Sequence, residues 1–287
     1  MSPTIAQIIL LAAVQGAAEL LPVSSSAHVI VAEKLMHLDA ASPGMLFLMV
    51  MLHTDTMAAV LAYFWRAWAR TYFSGPEVRD AWVRVAMATA ATGAVALVLK
   101  EIIEKLILGG RPAAAVEDLS GNLYLITAGL AAAGVIILIS GHLSRGRPAG
   151  EGRVPAGPAW VIGAVQGLCL PFRGLSRSGT TISTGMLLGV PRRAAEEFSF
   201  ALAVVLTPAV IAREFLRYYH ASRAAGAGIH LGTLVAPGLI GMVFSFLAGL
   251  AALRWLSGWL EHGKWHYFGF YCLAASAGVG ALAAIGY

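Results

Sequence analysis

Ala13-Val14-Gln15-Gly16 leads into Leu21-Pro22-Val23-Ser24-Ser25-Ser26-Ala27-His28, and 151 residues later Ala164-Val165-Gln166-Gly167 leads into Leu170-Pro171-Phe172-Arg173-Gly174-Leu175-Ser176-Arg177-Ser178-Gly179. Self-similarity of this kind in an apolar chain marks a duplicated architecture whose functional centre lies where the copies meet. The copies differ in chemistry. The first carries a carboxylate, hydroxyls and an imidazole; the second carries two guanidiniums and hydroxyls in a glycine-flanked loop. A site drawn from both has the parts to hold a phosphate and to attack it.

Working outward, the 287 residues are 58% hydrophobic and only 12% charged. Soluble domains run to roughly a quarter charged, so the chain reads as an all-α polytopic membrane protein, a single membrane domain over residues 1–287. Met1 to Ala12 has no basic stretch ahead of its apolar run and is read as mature structure rather than a signal peptide. The two cysteines, Cys169 and Cys272, sit in apolar surroundings, too few for a disulfide framework or thiolate zinc site, and read as packing residues. The net charge of +5 does not imply nucleic acid, because the basic residues fall in short loops between apolar stretches.

Six stretches reach the roughly 20 residues that a membrane-crossing helix needs: about 45–65, 82–108, 122–141, 198–219, 232–256 and 267–286. Shorter apolar segments, 4–20 with 26–36 and 159–170 with 181–190, flank the breaks at Leu21 to Ser25 and Pro171 to Gly179. Such pairs read as re-entrant helix hairpins, tolerated at membrane depth when protein or water covers their open backbone. Each half is then one hairpin and three crossings: repeat one over 1–141, a Gly/Pro/Arg-rich linker over 142–158, and repeat two over 159–287. Three is odd, so the second half is expected to be inverted relative to the first, with hairpin tips meeting near the midplane.

Arg66, Arg70, Arg79, Arg145, Arg147, Arg153, Arg192, Arg193, Arg254 and Lys264 gather on one face, against Lys34, Lys100, Lys105, Arg111, Arg213, Arg217 and Arg223 on the other. The richer face is expected to be cytoplasmic. Tyr63, Trp65, Trp68, Trp82, Tyr124, Trp160, Tyr218, Tyr219, Trp255, Trp259 and Trp265 are read as mostly interfacial aromatics at span ends.

Gln15 and Glu19 are one helical turn apart and stack on one face. A carboxylate in an apolar helix is a functional hypothesis by default, and Glu19 is a candidate general base, proton relay or metal ligand. Ser24, Ser25 and Ser26 stand where a new helix begins. One hydroxyl there is an ordinary cap, whereas three offer phosphate-binding positions or a nucleophile. His28, three residues after Ser25, is expected on the same face, within reach of its hydroxyl or of substrate.

In the second break, Gly174 and Gly179 permit unusual dihedrals and close backbone approach. The forks of Arg173 and Arg177 suit phosphate oxygens, and Ser176, Ser178, Thr180 and Thr181 add donors. The structural alternative is an ion pair with Glu19 or Asp55, which also serves to hold an empty site. His53 and Asp55 are expected to line the same cavity. Glu196 and Glu197, close to Arg192 and Arg193, are read as a solvated surface cluster.

At these residues the chain resembles the undecaprenyl pyrophosphate phosphatase family (UppP, also called BacA), the bacitracin-resistance membrane phosphatases. The resemblance runs nearly end to end. It rests on Gln15 to Glu19, Leu21 to Ser25 and His28, on Pro171 through Gly179, on Gly185-Met186, and on Glu197-Phe198-Ser199-Phe200. It implies hydrolysis of undecaprenyl diphosphate to the monophosphate in recycling of the cell-wall lipid carrier, at a site on the outer face of the bacterial inner membrane. It also implies catalytic or phosphate-binding roles for Glu19, Ser25, His28 and Arg177, and dependence on a divalent cation such as Mg2+ or Ca2+.

Two features depart from the family pattern. Gln15 stands where the family has its first Glu, removing one anionic ligand, and Phe172-Arg173 is inserted ahead of Gly174, adding a cation. Less metal is then expected to be needed, with Glu19 and Asp55 as its candidate ligands. The expected partners are the polyprenyl diphosphate and membrane lipids, with a homodimer entertained. Whether Ser25, His28 or a water attacks phosphorus is open. The rival reading is a polyprenyl-phosphate flippase, which would want the same arginines without hydrolysis.

Overall fold

The computed structural model describes residues 3–74, 76–107, 121–145, 152–224 and 231–287. Arg111, Arg147 and residues 146–151 of the expected linker lie outside the described residues. The described chain is all helical: α1 Ile5–Leu20, α2 Ser25–Leu35, α3 Pro43–Trp68, α4 Val78–Ile102, α5 Leu123–Leu143, α6 Ala156–Cys169, α7 Arg177–Leu187, α8 Arg192–Ala224, α9 Leu231–Glu261 and α10 His266–Ala284. Short π-helical turns, Ala69–Phe73 and Ile103–Ile107, extend α3 and α4.

Six helical stretches are long and apolar enough to cross a membrane, from 19 to 32 residues, and the protein is a multi-pass membrane protein. At 1.5 Å per residue, α1, α2, α6 and α7 reach only about 16–24 Å, short of a hydrocarbon core of about 30 Å. They are the two pairs that flank the repeated breaks.

Local chemistry explains where these short helices start and stop. Thr4 and Gln7 form a capping box that opens α1, with Gln7 N donating to Thr4 Oγ1 and Thr4 N to Gln7 Oε1. Leu21 is extended at its far end, as expected before Pro22. Ser176 caps α7 by accepting from Gly179 N at 3.2 Å. Helix α7 therefore begins four residues earlier than its apolar run, and Arg177 to Thr180 form a helical first turn rather than a loop. The inter-half segment also contracts, since α5 continues through Leu143 and α6 starts at Ala156. Pro158 is no obstacle there, because first-turn N–H groups have no helical acceptor to lose.

The halves pack by exchange. Helix α1 lies against α9 and α6 against α4, so the first arm of each broken pair packs on a long helix of the other half; α3 packs on α8, and α5 on α10. The repeated Gln-Gly dipeptides sit at these crossings. A Cβ on Gly16 would collide with the Ser245 backbone of α9, and one on Gly167 with the Thr92 carbonyl of α4. Small residues at such points let helix backbones approach closely, which is where much of the packing energy between membrane helices arises.

Three aromatic assignments change. Trp265 is 1% exposed rather than interfacial, with its indole Nε1 donating to Ser140 and Ser183, both at 3.1 Å. Tyr218 and Trp68 are buried as well. Each lies near the end of a hydrophobic run but is covered by neighbouring rings: Tyr218 by Phe47 and Phe215, Trp68 by Phe64 and Tyr72, and Trp265, just ahead of α10, by Phe268. Trp65, Tyr124, Trp160 and Trp255 are exposed, as interfacial or lipid-facing rings should be.

Gly16→Val and Gly167→Val are expected to destabilise the protein by about 1–3 kcal/mol or more through overpacking. Gly157→Val, where a Cβ meets nothing within 4 Å, should leave thermal unfolding in detergent unchanged; equal melting of all three variants would contradict the close-crossing account.

Candidate functional site

The two breaks touch. Arg177, the first residue of α7, donates from Nη2 to Glu19 Oε1 at 2.8 Å. Ser178 Oγ donates to the Leu21 carbonyl at 3.2 Å. Both are contacts between halves more than 150 residues apart in sequence. Glu19 also accepts from Ser25 Oγ on Oε2 at 2.5 Å and from Gln15 Nε2 at 3.4 Å. The result is a chain Ser25–Glu19–Arg177: a hydroxyl on a carboxylate whose other oxygen is held by a guanidinium. The Arg177 and Glu19 side chains are 20% and 19% exposed, so the pair opens to a cavity and is not sealed. Arg177 Nη1 is buried with no hydrogen-bond partner among the described residues, a spare charged donor beside the pair.

That cavity has a volume of about 460 Å³. Gln15, Glu19, Ser24, Ser25, Ser26, His53, Arg173, Ser176, Arg177 and Ser178 all line it. Backbone strain sits at its edge. Ser24 has φ +68°, a left-handed conformation in which a residue with a Cβ is rare. The turn it makes brings Ser25, the first residue of α2, back over the end of α1 and onto Glu19.

Other expected residues do different work. His28 turns away from the cavity: its Nδ1 lies 2.8 Å from the Ser24 carbonyl, its Nε2 lies 2.7 Å from the Tyr271 hydroxyl, and its ring stacks on Tyr271. Three residues of helix were expected to align it with Ser25, but α10 draws the ring to the far side of α2. There it lines a separate apolar groove with Val31, Leu35 and Leu282. Asp55 is 2% exposed and lies beside Ser245 of α9, outside the cavity lining, so it does not replace the missing carboxylate.

Gly174, Gly179 and Thr180 are structural too. Gly174 has φ +95° and presses against the Ile126 carbonyl. Gly179 is helical, valued for closeness to Pro22 rather than for its dihedrals. Thr180 Oγ1 donates to the Ser176 carbonyl at 2.6 Å, and Thr181 Oγ1 bonds Ser199 at 2.6 Å, leaving both hydroxyls inside the helix packing. Glu196 is not a solvated surface group. It is 2% exposed and accepts from Ser257 Oγ at 2.5 Å, while Glu197 pairs with Arg193 at 3.2 Å. Both cysteines are buried free thiols, as read from their surroundings.

Five charged cavity residues escaped the sequence reading as site residues: Glu33, Lys34, Arg213, Glu214 and Arg217. Lys34, Arg213 and Arg217 were counted only as charges of one membrane face, but they belong to α2 and α8 and line the cavity. Glu33 carried a usable signal, an ionisable group within the short apolar segment 26–36, under the same rule that singled out Glu19. It is 7% exposed.

The sequence profile described as bacitracin resistance protein BacA matches residues 8–278. Undecaprenyl-diphosphatase 2 of Acinetobacter baylyi is 56% identical over 280 residues, covering 96% of this chain and 97% of that protein. The undecaprenyl-diphosphatase of Acidiphilium cryptum is 35% identical over 291 residues, 95% of each chain. That of Desulfatibacillum aliphaticivorans is 31% identical over 293 residues, 95% of this chain and 96% of its own.

His28 anchors the carbonyl of the strained residue that presents Ser25, so His28→Ala is expected to lower turnover about tenfold or less through a displaced hydroxyl. The shape of the pH–rate profile should be retained; loss of one of its limbs would return His28 to proton transfer.

Proposed function

This chain belongs to the bacitracin resistance protein BacA family, and we propose that it hydrolyses undecaprenyl diphosphate to undecaprenyl monophosphate and phosphate within the bacterial inner membrane. The observation that carries the reading is the Ser25–Glu19–Arg177 chain, closed across the two halves at 2.5 and 2.8 Å. It has the arrangement of an activated nucleophile: a hydroxyl within reach of a base, and the base oriented by a third group.

In this mechanism the terminal phosphoryl group enters beside Arg177, whose partly exposed guanidinium meets its oxygens. The guanidinium then shifts from ion pair to phosphate, neutralising charge as it spreads over the equatorial oxygens. Ser25 Oγ attacks phosphorus as Glu19 takes its proton. The bond to the bridging oxygen breaks, and its electron pair leaves with undecaprenyl monophosphate; Glu19 releases the proton to solvent. A water then attacks the phosphoseryl group, giving its proton to Glu19, which passes it to the departing Ser25 oxygen. Phosphate and the starting enzyme result.

Among the described residues no three His, Cys, Asp or Glu side chains converge into a metal cage. A hard cation that keeps waters and takes substrate oxygens needs only one or two carboxylates. Glu19 is the carboxylate beside Arg177 and Ser25 that fits that requirement and would hold it; Gln15 donates its amide Nε2 to Glu19. Such a cation supplies further neutralisation of phosphate charge.

The architecture supports two inverted repeats in one membrane domain, with the broken pairs re-entering from opposite faces. The exchanged packing of α1 on α9 and α6 on α4 is what that relation produces. The richer basic face is cytoplasmic and the cavity opens to the periplasmic side.

Purified protein should release phosphate from a polyprenyl diphosphate, which a carrier would leave intact. Ser25→Ala and Glu19→Gln should each lower kcat by about 10²–10⁴-fold, and a quenched reaction should contain phosphoserine at Ser25. Near-normal turnover by Ser25→Ala would transfer the attack to water. EDTA should abolish turnover and Mg2+ or Ca2+ restore it; full activity in EDTA would remove the cation from the scheme.

A further inference from the structure

The cavity holds a second set of charges that the chemistry above does not use. Arg173 lines the same cavity as Arg177. It interacts electrostatically with Glu33, Arg213, Glu214 and Arg217, a group drawn from α2 in the first half and from the hairpin turn and α8 in the second. Lys34 lines the same region. The group is braced internally, with Arg217 Nη1 donating to both oxygens of Glu214 at 3.0 and 3.1 Å.

Charge separates the two sets. Glu19 and Arg177 cancel, leaving the inner centre formally neutral. The outer set puts Lys34, Arg173, Arg213 and Arg217 against Glu33 and Glu214, a positive excess in the same cavity. A phosphate monoester carries about −1.5 to −2 at neutral pH, and a lipid diphosphate carries more. A neutral centre suffices to place one phosphoryl group for attack but leaves the charge of the other uncompensated.

Resting on the phosphatase reading, we propose that the outer set centred on Arg173 and Arg217 is the subsite for the lipid-bearing phosphoryl group, and that it makes the enzyme select diphosphates over monophosphates. A diphosphate bridges both sets, with its terminal phosphoryl group at Ser25 and Arg177 and its second among the outer arginines. A monophosphate fills only one. The lipid monophosphate product therefore stays in the outer subsite after phosphate leaves the inner one.

The test uses the full chain in detergent with farnesyl diphosphate as substrate, and farnesyl monophosphate and inorganic phosphate as inhibitors. Arg173→Ala and Arg217→Ala should raise KM on the order of tenfold with kcat within about twofold, the pattern of lost binding rather than lost chemistry. Farnesyl monophosphate should inhibit these variants on the order of tenfold more weakly, while inhibition by inorganic phosphate, which takes the inner site, stays the same. Arg173→Lys, which keeps the charge, should recover part of the lost KM and serves if an alanine variant fails to fold. An unchanged KM in both alanine variants, or a loss confined to kcat, would overturn the subsite. If wild type releases no phosphate, hydrolysis itself fails. Binding of farnesyl diphosphate by calorimetry then still tests the subsite, which is overturned if the alanine variants bind as tightly as wild type.

Discussion

The Arg177–Glu19 pair, at 2.8 Å, is the interaction on which the rest of the structure depends. Each partner stands at a break in a short helix, in a place where an unpaired ion would be expelled or neutralised. Removing one member of a buried pair costs about 3–5 kcal/mol, because the survivor keeps its desolvation penalty. The pair fixes more than itself. It brings the start of α7 to the end of α1, aligns Glu19 so that its second oxygen faces Ser25, and leaves Arg177 with one guanidinium nitrogen, Nη1, unpartnered among the described residues. Stability and chemistry are therefore coupled at one contact.

That contact is reachable only because the surrounding helices approach closely. Gly16 and Gly167 let α1 and α6 sink against α9 and α4, and Gly174 turns the second break through a dihedral that residues with a Cβ avoid. Ser24 takes a similar dihedral without being glycine. The contacts that offset its strain are visible: His28 bonds its carbonyl, and its hydroxyl lies 3.3 Å from Ser26 Oγ. Strain of this kind persists where neighbours over-determine the conformation, and here the conformation is what aims Ser25 at the carboxylate.

Much of this was legible in the sequence because it rests on strong, local signals. Hydropathy locates six spans, and Pro with polar residues locates the breaks; the cost of intramembrane charge singles out Glu19 and Arg177. The failures have equally physical causes. His28 was placed by helical spacing alone, but α10 offers it a hydroxyl and a stacking ring on the other side of α2. Asp55 and Glu196 were assigned by proximity in sequence to other charges, whereas Ser245 and Ser257 of α9 stand beside them in the fold. Lys34, Arg213 and Arg217 read only as charges of one membrane face, and it is the fold that gathers them with Glu33, Arg173 and Glu214 around one cavity. Tertiary partners decide each of these, and no one-dimensional pattern encodes them.

The two breaks carry different chemistry at matching positions of the sequence repeat. Glu19 faces Arg177 and not its own counterpart: aligning the repeats on Gln15 and Gln166 sets Glu19 opposite Leu170 and Arg177 opposite Ser26, and aligning them on Pro22 and Pro171 sets Glu19 opposite Leu168 and Arg177 opposite His28. A leucine stands at the carboxylate's position in either register, so only one copy carries the anion. The glutamines diverge in use as well: Gln15 points to Glu19, while Gln166 is fully buried and bonds Thr92 at 3.2 Å. One copy supplies the carboxylate and the hydroxyl and the other the guanidinium, and attraction between these unlike groups holds the two breaks together.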